Sequence, residues 1–163
     1  MKAEIINPFM QAAHDVLEIE LGTAPTRGNA RIERSACTTD EVTGVITVSG
    51  AINGLVLYSM SEETARQLVA RMLDRQFDQF DTAVRSGVGE LGNVITGRAG
   101  GLLVAAGYPT NISPPAVVLG KGTLLTTLDL NRLVFPLQTP VGVLEMQVVV
   151  KANPTLARVA SAA

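Results

Sequence analysis

Apolar residues recur at helical spacing near the start of the chain. Phe9, Ala12, Ala13, Val16, Leu17 and Ile19 follow a 3.6-residue repeat. Asn7 suits a cap, Pro8 the first helical position and Gly22 a terminator. A helix is predicted between Asn7 and Gly22, followed by a turn-rich loop to Gly28. Ile32 to Cys37 reads as a strand. Val42, Gly44, Ile46 and Val48 share one side of a period-2 pattern, which predicts a strand over Val42–Gly50. Asn53-Gly54 tolerates positive φ and predicts a tight turn, with Leu55 to Met60 as the returning strand. Residues 42–60 therefore read as a β-hairpin.

Ser61 caps a second helix, whose first turn holds Glu62 and Glu63 at its positive end. Ala65, Leu68, Val69 and Met72 give that helix its apolar face. A break over Asp74–Gln79 leads to a longer helical segment, from about Phe80 to Ala106, stopped by Gly107. Beyond Pro109 the pattern returns to strands. Pro114-Pro115 forbids helix and marks an edge or turn. Val117–Leu119, Thr123–Asp129, Leu133–Thr139 and Val143–Val150 read as strands. Asp129-Leu130-Asn131 and Pro140-Val141-Gly142 stand where turns are needed. The stretch from Asn153 to Ala163 is expected to fray or add a loose last turn. The predicted order is α-β-β-β-α-α-β-β-β-β. Hairpin-linked strands and helices with one apolar face imply an α+β fold: a two-layer domain, its largely antiparallel sheet covered on one face by long helices. Residues 1–163 read as a single domain.

Composition narrows the chemistry. Charged residues make up 17% of the 163, low against the roughly 25% of ordinary domains, which suits self-association. Thirteen basic and fifteen acidic residues leave a net charge of -2, with no basic excess to hold nucleic acid. No run of 18 apolar residues predicts a membrane helix, and the N-terminus lacks a secretory pattern, so a cytoplasmic location is expected. Cys37 is the single cysteine and His14 the single histidine. An internal disulfide is excluded, and so are most Cys/His metal sites. Any Ser-His-Asp triad would have to use His14, which reads as a boundary or core residue. Gly120-Lys121-Gly122 lacks the remainder of a phosphate-binding loop. Between residues 71 and 81, Arg71 and Arg75 alternate with Asp74, Asp78, Asp81, Phe77 and Phe80, as at a solvated helix–helix junction.

The third helix is the informative segment. Val84, Val88, Leu91, Ile95, Ala99 and Leu102 form an apolar stripe that should face the sheet. Ser86, Gly89, Glu90, Asn93, Gly97, Gly100 and Gly101 form a second stripe. Six glycines lie between Gly87 and Gly101, and each interior glycine costs a helix about 0.8–1 kcal/mol relative to alanine. Close packing of another backbone is one reason to keep them. Approach of a partner's loops is the other. Glu90 and Asn93, three apart, project side by side as long polar groups among small neighbours.

The run Val88-Gly89-Glu90-Leu91-Gly92-Asn93-Val94-Ile95-Thr96-Gly97 resembles the signature helix of the CheX phosphatases, within the CheC–CheX–FliY family. The family pattern is Glu-x-x-Asn, a short apolar pair, a small residue and Gly. Asn7-Pro8-Phe9, Thr43-Gly44-Val45-Ile46, Asn53-Gly54-Leu55-Val56-Leu57 and Val118-Leu119-Gly120-Lys121-Gly122 are similar to further family segments in the same order. The resemblance spans about residues 5–151. It implies hydrolysis of the aspartyl phosphate on a CheY-like response regulator. By that resemblance Asn93 positions the attacking water and Glu90 anchors the regulator's lysine; Ser86, Gly89 and Gly97, on the same stripe, are expected to touch the partner. One such helix per chain, rather than two, matches CheX and suggests a homodimer with two identical sites. The magnesium ion and the lysine would belong to the regulator, so no cofactor is expected on this chain. A rival reading uses the same helix face without hydrolysis, as an adaptor for a receiver domain or a flagellar-switch component.

Overall fold

The hairpin at residues 42–60 forms, but it turns earlier than its Asn-Gly signal predicts. In the computed structural model, which describes residues 2–34, 37–126 and 130–157, strand β4 (Val42–Gly50) pairs antiparallel with β5 (Ile52–Met60). The reversal occurs at Gly50-Ala51. There Gly50 adopts φ +114° and its N–H donates to Asn53 Oδ1 at 3.1 Å. Asn53-Gly54 belongs instead to β5, because the last long strand, β10 (Gly142–Ala152), bonds alongside it with Val150 opposite Gly54. A Cβ on Gly54 would lie 1.9 Å from the Val149 carbonyl, so only glycine fits between the two backbones. A strand neighbour from far along the chain overrides the local turn preference.

Helix α1 (Ala3–Leu21) likewise begins earlier than expected, after Lys2, and Pro8 lies inside it. Proline forfeits one helical hydrogen bond there. Burial of Ile5 and Ile6 extends the helix past Asn7, and the Tyr108 hydroxyl donates to Glu4 at 2.6 Å. Gly22 ends α1 in the left-handed region at φ +70°. The expected Ile32–Cys37 strand divides. After β1 (Thr26–Arg27), β2 (Arg31–Glu33) pairs with β9 (Arg132–Thr139), whereas β3 (Cys37–Thr38) pairs with β8 (Leu124–Leu125) in a separate ribbon. Within the expected Thr123–Asp129 strand, Leu124–Leu125 form β8. The stretch at 127–129, and with it part of the Asp129 turn, lies outside the described residues. Ser61 caps α2 (Glu62–Leu73) by accepting from the Thr64 N–H at 3.1 Å. Asp81 caps α3 (Thr82–Ala105) by accepting from the Val84 N–H at 2.9 Å. The 74–81 link is a helix junction: Phe77 is buried, Arg75 lies over its ring, and Arg66 donates to the Phe77 and Asp78 carbonyls. Two short strands follow, β6 (Thr110–Ile112) and β7 (Ala116–Leu119), joined through Pro114-Pro115, and α4 (Pro154–Ala157) is a single turn at the end.

The main sheet is antiparallel throughout, ordered β1-β9-β10-β5-β4-β6, with β7 also on β4 and β2 also on β9. Two hairpins, β4–β5 and β9–β10, meet at the β10–β5 seam. One sheet face presents Val42, Ile46, Val56, Tyr58, Met146 and Val148, among others, to α1, α2 and α3, and this is the main core. Alternation puts Leu57, Val134 and Val149 on the opposite face, where they are also buried. The segment around β3 approaches that face, with the Asp40 N–H donating to Ser59 Oγ at 3.0 Å.

Candidate functional site

Helix α3 is held on the sheet by its buried side. Val84, Val88, Leu91, Ile95 and Ala99 are buried as the apolar stripe predicts. At the end of the helix Leu103 is the buried residue and Leu102 is only half-buried, because the packing follows α3 as it rotates slightly past a strict stripe. A buried hydrogen bond joins Tyr58 and Thr96 hydroxyls at 2.8 Å. Burial pushes the Tyr58 phenol well above the usual tyrosine range, so it stays protonated and keeps its donor. Gly92 rests on this tyrosine, where a Cβ would meet the ring at 3.0 Å. On the side toward α1, Arg98 donates twice to Asp15, at 2.6 and 3.0 Å. The backbone around residues 90–98 is thus fixed from below and from the side.

The opposite side of α3 faces outward. Ser86, Glu90 and Gly97 are exposed and Asn93 is half-buried. Spacings of four, three and four residues keep them on one stripe, and Glu90 and Asn93 sit about 4.5 Å apart along the axis. Among the described residues, neither the Glu90 carboxylate nor the Asn93 amide has a hydrogen-bond or ion-pair partner. A carboxylate offers acceptors only, and an amide offers both a donor and an acceptor. Such a pair can grip a cation and orient a water without exchanging protons.

The helix glycines divide into two groups. A Cβ on Gly87 would lie 2.5 Å from Val69 of α2, and one on Gly89 would lie 3.3 Å from Pro115, so these positions serve packing. Gly89 is therefore buried, not part of the open stripe as expected. It forms the floor of a groove of about 360 Å³ lined by Arg85, Ser86, Glu90, Pro115 and Val117. A Cβ on Gly97 or Gly100 would meet only ordinary contacts at 3.7 Å, and one on Gly101 would meet nothing within 4 Å. No contact among the described residues explains those three. Arg85, Pro115 and Val117 were not singled out from the sequence. Pro114-Pro115 signals an edge, but that this edge lies against the first turns of α3 depends on a long-range pairing.

No group of three or more His, Cys, Asp or Glu among the described residues could hold a metal ion. His14 is partly exposed, 3.8 Å from both Asp15 and Glu18, on α1. No helix is long and apolar enough to cross a membrane, among the described residues.

Comparison with known proteins bears on this site. Residues 42–138 match the family described as chemotaxis phosphatase CheX. The CheY-P phosphatase CheX of Thermotoga maritima is 31% identical over 122 residues, 74% of this chain and 79% of that protein. A CheC-like superfamily protein from Shewanella sp. PV-4 superposes with a TM-score of 0.84 at 25% identity, covering 93% of this chain and 100% of its own. The fold is shared as well with CheX of Borrelia burgdorferi, solved in complex with CheY, BeF3 and Mg2+, at a TM-score of 0.76 and 24% identity over 90% of this chain and 97% of that one.

Proposed function

The chain belongs to the family of the chemotaxis phosphatase CheX, and from that membership we propose that it hydrolyses the aspartyl phosphate of a CheY-like response regulator. The observation that carries the reading is the outward pair Glu90 and Asn93 on a helix fixed by Tyr58 and Arg98. In-line attack on an aspartyl phosphate needs positioning and charge neutralisation more than a strong base. Asn93 holds the attacking water through its amide. Glu90 pairs with the regulator's lysine and fixes the docking register. The water oxygen bonds to phosphorus as the bond to the aspartate oxygen breaks. The aspartate leaves as a carboxylate, and both water protons stay with the inorganic phosphate. Magnesium, where the regulator binds it, supplies charge neutralisation from the regulator's side. Ser86 and Gly97 continue the contact along α3, with Gly89 beneath them. We place the protein in the cytoplasm, where phosphorylated regulators act, and read it as a homodimer.

The test is decay of a phosphorylated CheY-type receiver under single-turnover conditions. Asn93→Ala should stay folded by circular dichroism, since alanine is the better helix former. Hydrolysis should fall by about 10²-fold or more, as for loss of one transition-state positioning group. A folded mutant as fast as wild type would overturn the role of Asn93. Binding by both proteins with no acceleration by either would establish the adaptor reading.

A further inference from the structure

The groove beside Glu90 has a cation at its rim that the fold itself does not call for. Arg85 stands in the first turns of α3, close to the positive end of the helix dipole, where a cation is disfavoured. Its guanidinium meets only the Thr82 hydroxyl, at 3.4 Å, and pairs with no carboxylate among the described residues. The other arginine of α3, Arg98, is committed to Asp15. Arg85 lines the groove together with Ser86, Gly89, Glu90, Pro115 and Val117. The open groove, with Gly89 as its floor and Pro115 and Val117 on its far side, leaves room for a side chain beside Arg85.

We propose that Arg85 is a specificity-determining residue of the hydrolysis: its guanidinium pairs with a carboxylate at the rim of the regulator's phosphorylation site, selecting regulators that present an acidic side chain to the groove between α3 and β7. The inference rests on the phosphatase reading. It follows from charge complementarity. A site that binds magnesium and a phosphoryl group is built from carboxylates, so the surface meeting α3 is acidic apart from the lysine that Glu90 takes. Arg85 and Glu90 present one charge of each sign to it. Arg85 lies eight residues before Asn93, about 12 Å along the axis, so it meets the rim and not the phosphoryl group. Its contribution belongs to association and not to the chemical step.

The experiment uses the full chain and a CheY-type receiver, phosphorylated with acetyl phosphate, that the wild-type chain dephosphorylates. Arg85→Glu should raise KM about tenfold or more with kcat unchanged, and should flatten the dependence of KM on salt. Arg85→Lys should recover most of the loss. Neutralising the receiver's rim carboxylates one at a time should reveal one position at which wild type and Arg85→Glu become equal. Wild-type KM and salt dependence in Arg85→Glu, or a loss confined to kcat, would overturn the proposal. Asn93→Ala keeps the two readings apart. If it abolishes turnover while Arg85→Glu leaves KM unchanged, only the role of Arg85 fails. If Asn93→Ala turns over normally, the site reading itself fails.

Discussion

Gly87 and Gly97 lie on the same helix and answer to different neighbours. A methyl on Gly87 would enter Val69, whose nearest carbons stand 2.5 and 2.7 Å from the Cβ position. Overpacking of this kind costs about 1–3 kcal/mol, more than the gain in helix propensity. Gly87→Ala should therefore lower the urea midpoint. Gly97→Ala meets only Ile112 at 3.7 Å, and should raise stability by about 0.5–1 kcal/mol. In the same variant KM for the phosphorylated receiver should rise, because the new methyl stands on the proposed docking stripe. A rise in stability without a rise in KM would remove Gly97 from the contact. Glu90 belongs at this scale too. Glu90→Ala should chiefly raise KM for the receiver and weaken its binding, as the proposed pairing with the regulator's lysine requires. Measured affinity equal to wild type would return Glu90 to an ordinary solvated position. Spacing puts Glu90 and Asn93 side by side on the outward side of α3, as the structure has them, while the roles proposed for them come from the family resemblance. The burial of Gly89 was not legible in the sequence, since Pro115 comes to it from another part of the chain.

At the scale of the element, α3 is defined by its caps and by what lies under it. Asp81 accepts from the Val84 N–H and secures the first turn, which carries Arg85 and Ser86. Asp81→Ala should cost about 1 kcal/mol in urea unfolding with an unchanged m value. A changed m value would mean that the cap also shapes the denatured ensemble. Caps were readable where local chemistry decides: Ser61 and Gly22 act as their residue types predict. They failed where distant packing decides. Asn7 and Pro8 look like a helix start, yet burial of Ile5 and Ile6 carries α1 back to Ala3. Asn53-Gly54 looks like a turn, yet β10 captures both residues. The Tyr58–Thr96 bond spans 38 residues, and no periodicity encodes it.

For the whole molecule, the expected two-layer α+β arrangement forms, but its strand order could not be read from hairpin signals, which fix neighbours only within each hairpin. Two sites per assembly follow from the homodimer reading. Sedimentation at micromolar concentration should give about twice the 17.1 kDa of the chain, and a single species of that smaller mass would count against pairing. The sheet order also bears on how the chain is made. β10 leaves the ribosome some ninety residues after β5, yet the two are neighbours in the interior of the sheet. Until Gly142–Ala152 emerges, the nascent β4–β5 hairpin keeps its long inner edge unpaired, and Val56 and Tyr58 lack their neighbours Val148 and Met146. Sequence-distant pairing of this kind is slow and leaves hydrophobic edges open to misassociation. A chain that stops before residue 142 therefore keeps α3, with Glu90 and Asn93, over β4, β6 and β7, but leaves the inner edge of β5 open as a template for the wrong strand.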